Sequence, residues 1–197
     1  MTDPAPARLE AAASSFDDVA AQAAARALLE AAGVDLNSAE TGETPRRIAQ
    51  MLREMLSPEP VDLTTFPNEG YDELVLARDI PFSSLCAHHL LPFSGVAHVA
   101  YIPADRIIGL SKLARIVEFF SRALQVQERL TAQVADCIEE RLAPKGVGVV
   151  MIADHACMSL RGAKALGAST VTSAVRGLVR RDERTRAEFF ALVEGKR

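Results

Sequence analysis

The sequence predicts an α+β fold in which an antiparallel sheet carries a helical pair. The periodic segments run in the order two helices, a strand pair, two helices, a strand pair and a last helix. Strand pairs that flank a helical pair favour an antiparallel sheet over a βαβ series. A chain of 197 residues, with 49% hydrophobic and 24% charged residues, suits one soluble domain with an accessory segment.

The N-terminal part predicts helices. The Ala-rich run 16–32 predicts a first helix, which Gly33 ends. Thr44 followed by Pro45 predicts an N-cap and a proline at the first helical position, and this helix continues to about residue 56. Prolines and glycine in the run 58–70 predict a loop.

Beyond this loop the pattern alternates between strands and longer helices. Alternating or β-branched residues predict strands, and apolar residues at helical spacing predict helices. The predicted strands are 73–80, 95–102, 147–153 and 169–178, and the predicted helices are about 110–120, about 125–142 and a last one after Asp182.

Charge is unevenly distributed along the chain. From 161 to 197 nine Lys and Arg face four Asp and Glu, whereas the remainder has 13 against 22, for a net charge of −4. The basic C-terminal part could bind an anion, although most of the charges in 180–186 are also explained by an ordinary solvent-exposed helix face. An acidic remainder, with only two Tyr and no Trp, argues against a nucleic-acid partner.

Other features bear on location. No apolar run approaches the roughly 18 residues that a membrane span needs. Residues 1–10 lack the basic start and apolar core of a signal peptide. Three cysteines, with Cys137 inside a helical pattern, do not form a disulfide framework. We therefore expect a cytoplasmic protein without membrane contact.

Five of the seven Cys and His residues fall in two short runs, Cys86-Ala87-His88-His89 and His155-Ala156-Cys157. Thiolate and imidazole are typical zinc ligands, so the runs together predict a metal site. Cys86 and His89 have Cys-x-x-His spacing, and His155 and Cys157, two apart in a strand-like run, would share a face. Three of these four would leave a catalytic position open, and four would close a structural site. The spacing leaves both open.

Two further histidines have separate interpretations. His88 follows Ala87 and precedes a predicted ligand, so in an extended or turn backbone its side chain would point elsewhere. It would then serve as a general acid or base beside the metal, or simply lie at the surface. His98 lies inside the second predicted strand and fits a packed sheet residue.

Several other polar residues could bind a ligand. Ser111 and Lys112 open a helix, with Arg115 one turn on, which is a pattern that suits a phosphate. Arg161 and Arg47, each considered without its neighbours, are interpreted as ordinary surface charges. The pair Gln127-Glu128 could read the N–H edge of a purine, although a first-turn glutamate is also favoured by the helix dipole alone.

Taken together, these residues resemble one family, GTP cyclohydrolase I. Order and spacing match from about residue 44 to the C-terminus, while the first forty residues match only loosely. The segments that carry the resemblance are SLCAHHLLPF (84–93), HVAYIP (98–103), GLSKLARIV (109–117), QVQERLT (125–131), HACM (155–158) and Arg161-Gly162.

The resemblance implies a role for each candidate. Cys86, His89 and Cys157 match the family's Zn²⁺ ligands, which leaves the fourth position to water. The remaining matches imply catalytic roles for His88, His155 and Ser111, guanine recognition by Glu128 with Gln127, and a triphosphate site formed by Lys112, Arg115, Arg161 and Arg47.

The resemblance also implies a fold, an assembly and a reaction. The fold would be a tunnelling fold, with a variable helical segment at 1–43 and a catalytic domain at 44–197. The assembly would be a homo-oligomer, usually a decamer of two pentamers, with sites shared between subunits. GTP would be hydrolysed at C8 and rearranged to 7,8-dihydroneopterin triphosphate with release of formate, in folate, other pterin or deazapurine biosynthesis.

One departure and three alternatives qualify this expectation. Ala87 stands where the family usually has Glu, so we expect altered electrostatics near the metal without loss of a ligand. Another enzyme of the same fold could act on a related pterin or deazapurine precursor. A nitrile reductase of this fold would need a nucleophilic cysteine without zinc, which the paired ligands argue against. The third alternative is a non-catalytic nucleotide-binding subunit with a closed zinc site. This alternative requires His155 to be the fourth zinc ligand.

Overall fold

The computed structural model describes residues 8–10 and 16–195. Residues 1–7 and 11–15, within the predicted segment 1–43, lie outside the described part, as do 196 and 197. The longer helices are α1 (Asp18–Ala31), α2 (Thr44–Leu56), α3 (Leu110–Ser121), α4 (Gln127–Leu142) and α7 (Glu183–Glu194), with short helices α5 (Ala156–Ser159) and α6 (Gly177–Arg181). The strands are β1 (Arg8–Leu9), β2 (Val61–Asp62), β3 (Thr65–Pro67), β4 (Val75–Cys86), β5 (Pro92–Ile102), β6 (Arg106–Ile108), β7 (Leu124–Gln125), β8 (Gly146–His155) and β9 (Ser169–Arg176).

The main sheet has the order β7-β4-β5-β8-β9. Its four long strands pair antiparallel throughout, and only the two-residue β7 joins in parallel, beside the end of β4. The predicted α+β class with an antiparallel sheet is therefore confirmed. The sequence missed β7, β1, β2, β3 and β6, because strands of two or three residues carry no measurable alternation.

The helical pair α3 and α4 covers one face of the sheet. Their apolar stripes are fully buried, and the facing strands contribute equally buried aliphatic residues. Burial of one such side chain contributes about 1.5–3 kcal/mol. The larger of the two buried clusters in the described part of the chain includes this interface. Its innermost members are Leu113, Ile116, Val117, Leu130, Val134, Val99, Val149 and Met151.

On the opposite face, α6 and α7 cover the far end of β5 and β8. Phe189 of α7 is fully buried there with Val179 of α6. Gly148 makes the contact possible, because a Cβ at that position would come within 2.7 Å of the Phe189 ring. The predicted strand 169–178 was too long at its end: β9 stops at Arg176, and Gly177 has a φ of +55° and begins α6.

The N-terminal helices α1 and α2 pack on each other and are joined by an ion pair between Arg53 and Asp18 at 3.0 Å. The prediction that Thr44 caps α2 was wrong. Thr44 is itself helical, and Glu43 precedes it without a side-chain capping bond. The domain boundary at residue 43 stays a prediction.

Strands β4 and β5 are longer than the sequence indicated. β4 continues past Ile80 to Cys86, and β5 begins at Pro92 rather than at Gly95. Pro81 is tolerated because this part of β4 pairs only with β5 among the described residues, so one of its edges is open. The extension matters because it carries the hairpin turn 87–91, with its Cys and His residues, to the end of the sheet.

Candidate metal centre

The two Cys/His runs meet where the β4–β5 turn lies beside the end of β8. The turn is closed by bonds from the Leu90 and His89 N–H groups to the Cys86 carbonyl. β5 pairs with β8 so that Phe93 lies opposite His155. This register brings the start of the second run beside the end of the first.

Cys86, His89 and Cys157 place one possible ligand atom each within 4.8 Å of one another. The two sulfur atoms are 3.9 Å apart. Two sulfurs about 2.3 Å from one tetrahedral zinc ion would be separated by about 3.8 Å, so the spacing fits. Two thiols and an imidazole also have the ligand chemistry that Zn²⁺ prefers. The donor set therefore fits zinc.

His155 is not part of this group. The expectation that it shares a strand face with Cys157 was wrong, because β8 ends at His155 and Cys157 lies in α5. The His155 ring stacks on Phe93, with centroids 4.6 Å apart and planes inclined by 3°. Burial lowers the pKa of His155, and the carboxylates of Glu128 and Asp154 partly offset this.

Gln127 is the hydrogen-bond partner of His155. Its Oε1 lies 2.7 Å from His155 Nε2, and the residue is only 2% exposed. The side-chain nitrogen is directed at the carbonyl oxygens of Met151 and Thr170 and at the Thr172 hydroxyl. This corrects the expectation that Gln127 contacts a guanine base, because its whole amide is directed into the protein.

His88 and Arg161 lie next to the ligand group. His88 is exposed, and its Nδ1 is 3.7 Å from Cys86 Sγ, so its side chain stays near the sulfur rather than pointing away. Arg161 places Nη1 3.1 Å from His89 Nε2 and thus brings a cation to the same place. Partial burial raises the pKa of the Cys157 thiol, and the neighbouring Cys86 adds to the rise. A bound cation would act in the opposite direction.

The start of α4 lies at the same end of the sheet. Gln125 accepts the Ala87 N–H through its carbonyl at 2.8 Å, which ties β7 to the Cys/His turn. Glu128, exposed in the first turn of α4, lines a groove of about 390 Å³ between α4 and β9. Arg176 and Arg180 line the same groove. Glu128 therefore lies near the ligand group but outside it.

Within one chain, the start of α3 is remote from this end. Ser84 Oγ, two residues before Cys86, donates to the Ser121 carbonyl at the end of α3. Ser111 is ten residues earlier, and at 1.5 Å per residue it lies about 15 Å further along the helix. The structure therefore does not bring Ser111 and Lys112 to the Cys/His cluster of their own chain.

The other two cations predicted to bind triphosphate lie on separate surfaces. Arg115, in the second turn of α3, lines a cavity of about 500 Å³ with Glu54, Glu118 and Arg122. Arg47 is exposed on α2. Neither has a contact with the Cys/His cluster within the described part of the chain.

Sequence reasoning missed two supporting residues. Phe93 was known only as part of a run, and its stacking on His155 follows from the β5–β8 register, which the sequence does not encode locally. Ser84 is fully buried and bonds to the Ser121 and Ala123 carbonyls. A serine two residues before a predicted ligand gives no signal of this kind.

No helix among the described residues has the length and apolar character to cross a membrane.

Known proteins resemble this chain over most of its length. A family model described as GTP cyclohydrolase I matches residues 21–194. GTP cyclohydrolase 1 of Aquifex aeolicus is 51% identical over 87% of this chain and 94% of that protein. GTP cyclohydrolase 1 of Streptomyces avermitilis is 50% identical over 98% of each chain. A crystal structure of the archaeosine synthase QueF-Like in the apo form matches 53% of this chain and 93% of that chain, with a TM-score of 0.42 and 17% identity. From the family model and these relatives, the chain belongs to the GTP cyclohydrolase I family.

Proposed function

We propose that this protein is a zinc-dependent enzyme that opens the imidazole ring of GTP at C8, releases formate and forms 7,8-dihydroneopterin triphosphate. The observation that carries the proposal is that, among the described residues, three donors, Cys86, His89 and Cys157, form one group, while His155 bonds to Gln127 instead. Three protein ligands leave one coordination position for solvent or substrate. Membership of the GTP cyclohydrolase I family supports GTP as the substrate of this reaction.

Zinc held by these three residues would supply a Lewis acid that lowers the pKa of water toward neutrality. Residues of the chain would carry out the proton transfers. We propose that His155, which stacks on Phe93, and His88, which lies beside the Cys86 sulfur, would move protons as C8 is attacked and leaves as formate. Neither needs to bind the metal for this role.

Recognition of guanine is assigned to Glu128 alone. Its carboxylate would accept hydrogen bonds from the N–H edge of the base, which adenine does not present in the same pattern. The groove that Glu128 lines beside β9 is open to a ligand. Gln127, buried behind it, would not touch the base.

The triphosphate would be bound by Arg161 together with Lys112, Arg115 and Arg47, and Ser111 would help to position the ribose. Since Ser111 lies about 15 Å along α3 from the metal end, we propose that one chain supplies the metal and a neighbouring chain supplies the start of α3. A decamer of two pentamers, with sites at subunit interfaces, would meet this requirement. Among the described residues, β9 and the part of β4 before Leu85 have no strand on their outer side, which is consistent with strand pairing between subunits.

We place the enzyme in the cytoplasm, at the first step of folate or another pterin pathway, or of a deazapurine pathway. The same initial ring opening serves each of them, so the site chemistry is shared. If the pathway is that of folate, the product would be used to make tetrahydrofolate for one-carbon metabolism.

The test is incubation of the purified, zinc-loaded protein with GTP. Formate should appear together with a pterin that fluoresces after oxidation, and ATP should give neither product. Dialysis against a chelator should abolish both products, and added zinc should restore them. Zinc-loaded protein that binds GTP without releasing formate would overturn the proposal and favour a non-catalytic nucleotide-binding subunit.

A further inference from the structure

We infer that Gln127 is a positioning residue that holds His155 in the tautomer protonated on Nε2, so that the lone pair of the neutral ring is on Nδ1. The part of the inference that concerns catalysis rests on the proposed function. The tautomer itself does not, because it follows from hydrogen bonding within one chain.

The orientation of the Gln127 amide is determined by its partners. The atom assigned as Nε2 lies 3.1 Å from the Met151 carbonyl oxygen and 3.0 Å from that of Thr170. Carbonyl oxygens only accept hydrogen bonds, so the group that faces them must be the NH₂. Rotating the amide by half a turn would bring three oxygens together inside the protein, where an unpaired polar atom costs about 1–3 kcal/mol.

The third partner, Thr172, agrees with this orientation. Thr131 Oγ1 lies 2.7 Å from the Gln127 main-chain carbonyl and must donate to it. The contact between the Thr131 and Thr172 hydroxyls, at 2.6 Å, is then donated by Thr172. Thr172 has thus used its proton, so its oxygen accepts from Gln127 Nε2 at 3.1 Å. The direction of each of these hydrogen bonds is thereby set, with the two N–H hydrogens of Gln127 shared among three acceptors.

This fixes the proton on His155. Gln127 Oε1 can only accept, and it lies 2.7 Å from His155 Nε2, so Nε2 carries the hydrogen. A neutral imidazole has a single N–H, which leaves the lone pair on Nδ1.

The ring plane is held as firmly as the tautomer. Phe93 stacks on one face of the His155 ring at 4.6 Å, and Gln127 bonds one edge. Gln127 cannot easily move, because it is 2% exposed and three acceptors hold its amide. The arrangement is that of an active-site histidine whose partner group sets the reactive nitrogen.

The direct test is solid-state NMR of zinc-loaded protein labelled with ¹⁵N-histidine. The chain has four His, and the His155 signals are assigned as those lost in His155→Asn. We expect a neutral ring with the hydrogen on Nε2. A hydrogen on Nδ1, or a nitrogen bound to zinc, would overturn the inference.

Variants separate positioning from simple structural support. Gln127→Met removes the amide and should give a mixture of His155 tautomers, with kcat lower by about 10–100-fold and KM little changed. Gln125→Met is the matched control, because Gln125 is equally buried at 2% but bonds to Phe120 and Gln133 instead of a histidine. It should keep the Nε2–H tautomer.

Each outcome is informative. If Gln127→Met folds and retains both the tautomer and kcat, Gln127 does not position His155. If it fails to fold, the spectrum of the unsubstituted protein still decides. If that spectrum shows Nε2–H but GTP yields no formate, the proposed function fails and the tautomer assignment stands.

Discussion

Cys86 and Cys157, 71 positions apart in the chain, place their sulfur atoms 3.9 Å from each other. The approach depends on the β5–β8 register, which puts Phe93 opposite His155 and so brings the start of α5 to the β4–β5 turn. Two thiols this close, with no disulfide between them, are suited to one shared cation.

Replacement of Cys157 by Ser should remove zinc from the protein. A hydroxyl is a much poorer zinc ligand than a thiolate, and only two strong ligands would remain. Loss of a residue that only hydrogen-bonds to a ligand lowers metal affinity by about 10–100-fold, and loss of the Cys157 ligand itself should lower it further. Competition with a chromogenic chelator measures this, and Cys137→Ser, in the buried face of α4, is the control. A Cys157→Ser protein with unchanged zinc affinity would exclude Cys157 as a ligand.

His88→Ala should retain zinc and lose turnover. His88 lies beside the Cys86 sulfur but outside the ligand group, so its removal affects proton transfer and leaves the metal in place. General acid–base groups contribute about 10²–10⁴-fold, which is the fall in kcat that we expect. Zinc content and formate release are measured on the same sample. Loss of zinc would mean that His88, rather than His89, is the ligand.

Glu128→Ala should weaken discrimination between GTP and ATP. Hydrogen bonds to a charged group contribute about 1.5–3 kcal/mol, so the ratio of kcat/KM for the two nucleotides should fall by about 10–100-fold. Glu140→Ala, an exposed glutamate near the far end of the same helix, is the control and should leave the ratio unchanged. An unaltered ratio in Glu128→Ala would refute its role in guanine recognition.

Stability should fall as the pH drops below about 6.5, in part because of His98. Burial lowers the pKa of His98, with Arg78 acting in the same direction and Asp79 against it, and its Nδ1 accepts the Asp79 N–H. The unfolded chain binds the proton more readily, so the free energy of unfolding decreases as the pH falls from 6.5 to the lower pKa of the folded state. His98→Asn can keep an acceptor for Asp79 without titrating. Urea unfolding at pH 7 and pH 5 should show a smaller loss in this variant; an equal loss would exclude His98.

Gly95→Ala should destabilise the protein near the site. A Cβ at this position would come within 1.9 Å of the Ile152 carbonyl oxygen, so β5 and β8 would have to separate. Overpacking of this kind costs about 1–3 kcal/mol. Gly109→Ala is the control, because its Cβ would approach no atom closer than 3.6 Å. Urea unfolding compares the two, and equal stability of both variants would contradict the close approach.

The sequence predicted what local periodicity and residue type can carry. The amphipathic stripes of α3 and α4 were visible because Leu113, Ile116 and Val117 recur at helical spacing, and the cluster of Cys and His residues was visible by composition. Both depend on residues near each other in the chain.

What the sequence could not predict depends on register and on hydrogen-bond partners. Gln127 looked like a candidate for binding a base, because nothing local indicates that its amide would face Met151 and Thr170. Likewise, the spacing of His155 and Cys157 suggested a shared face, whereas the change from strand to helix after His155 separates them. Tertiary contacts decide both cases.

The most direct measurement is a crystal structure of the zinc-loaded protein that resolves every ligand of the ion. The account predicts Cys86 and Cys157 sulfurs at about 2.3 Å, a His89 nitrogen at about 2.0–2.1 Å, and a fourth position filled by solvent. An ion that also binds His155, or one that binds elsewhere, would contradict it.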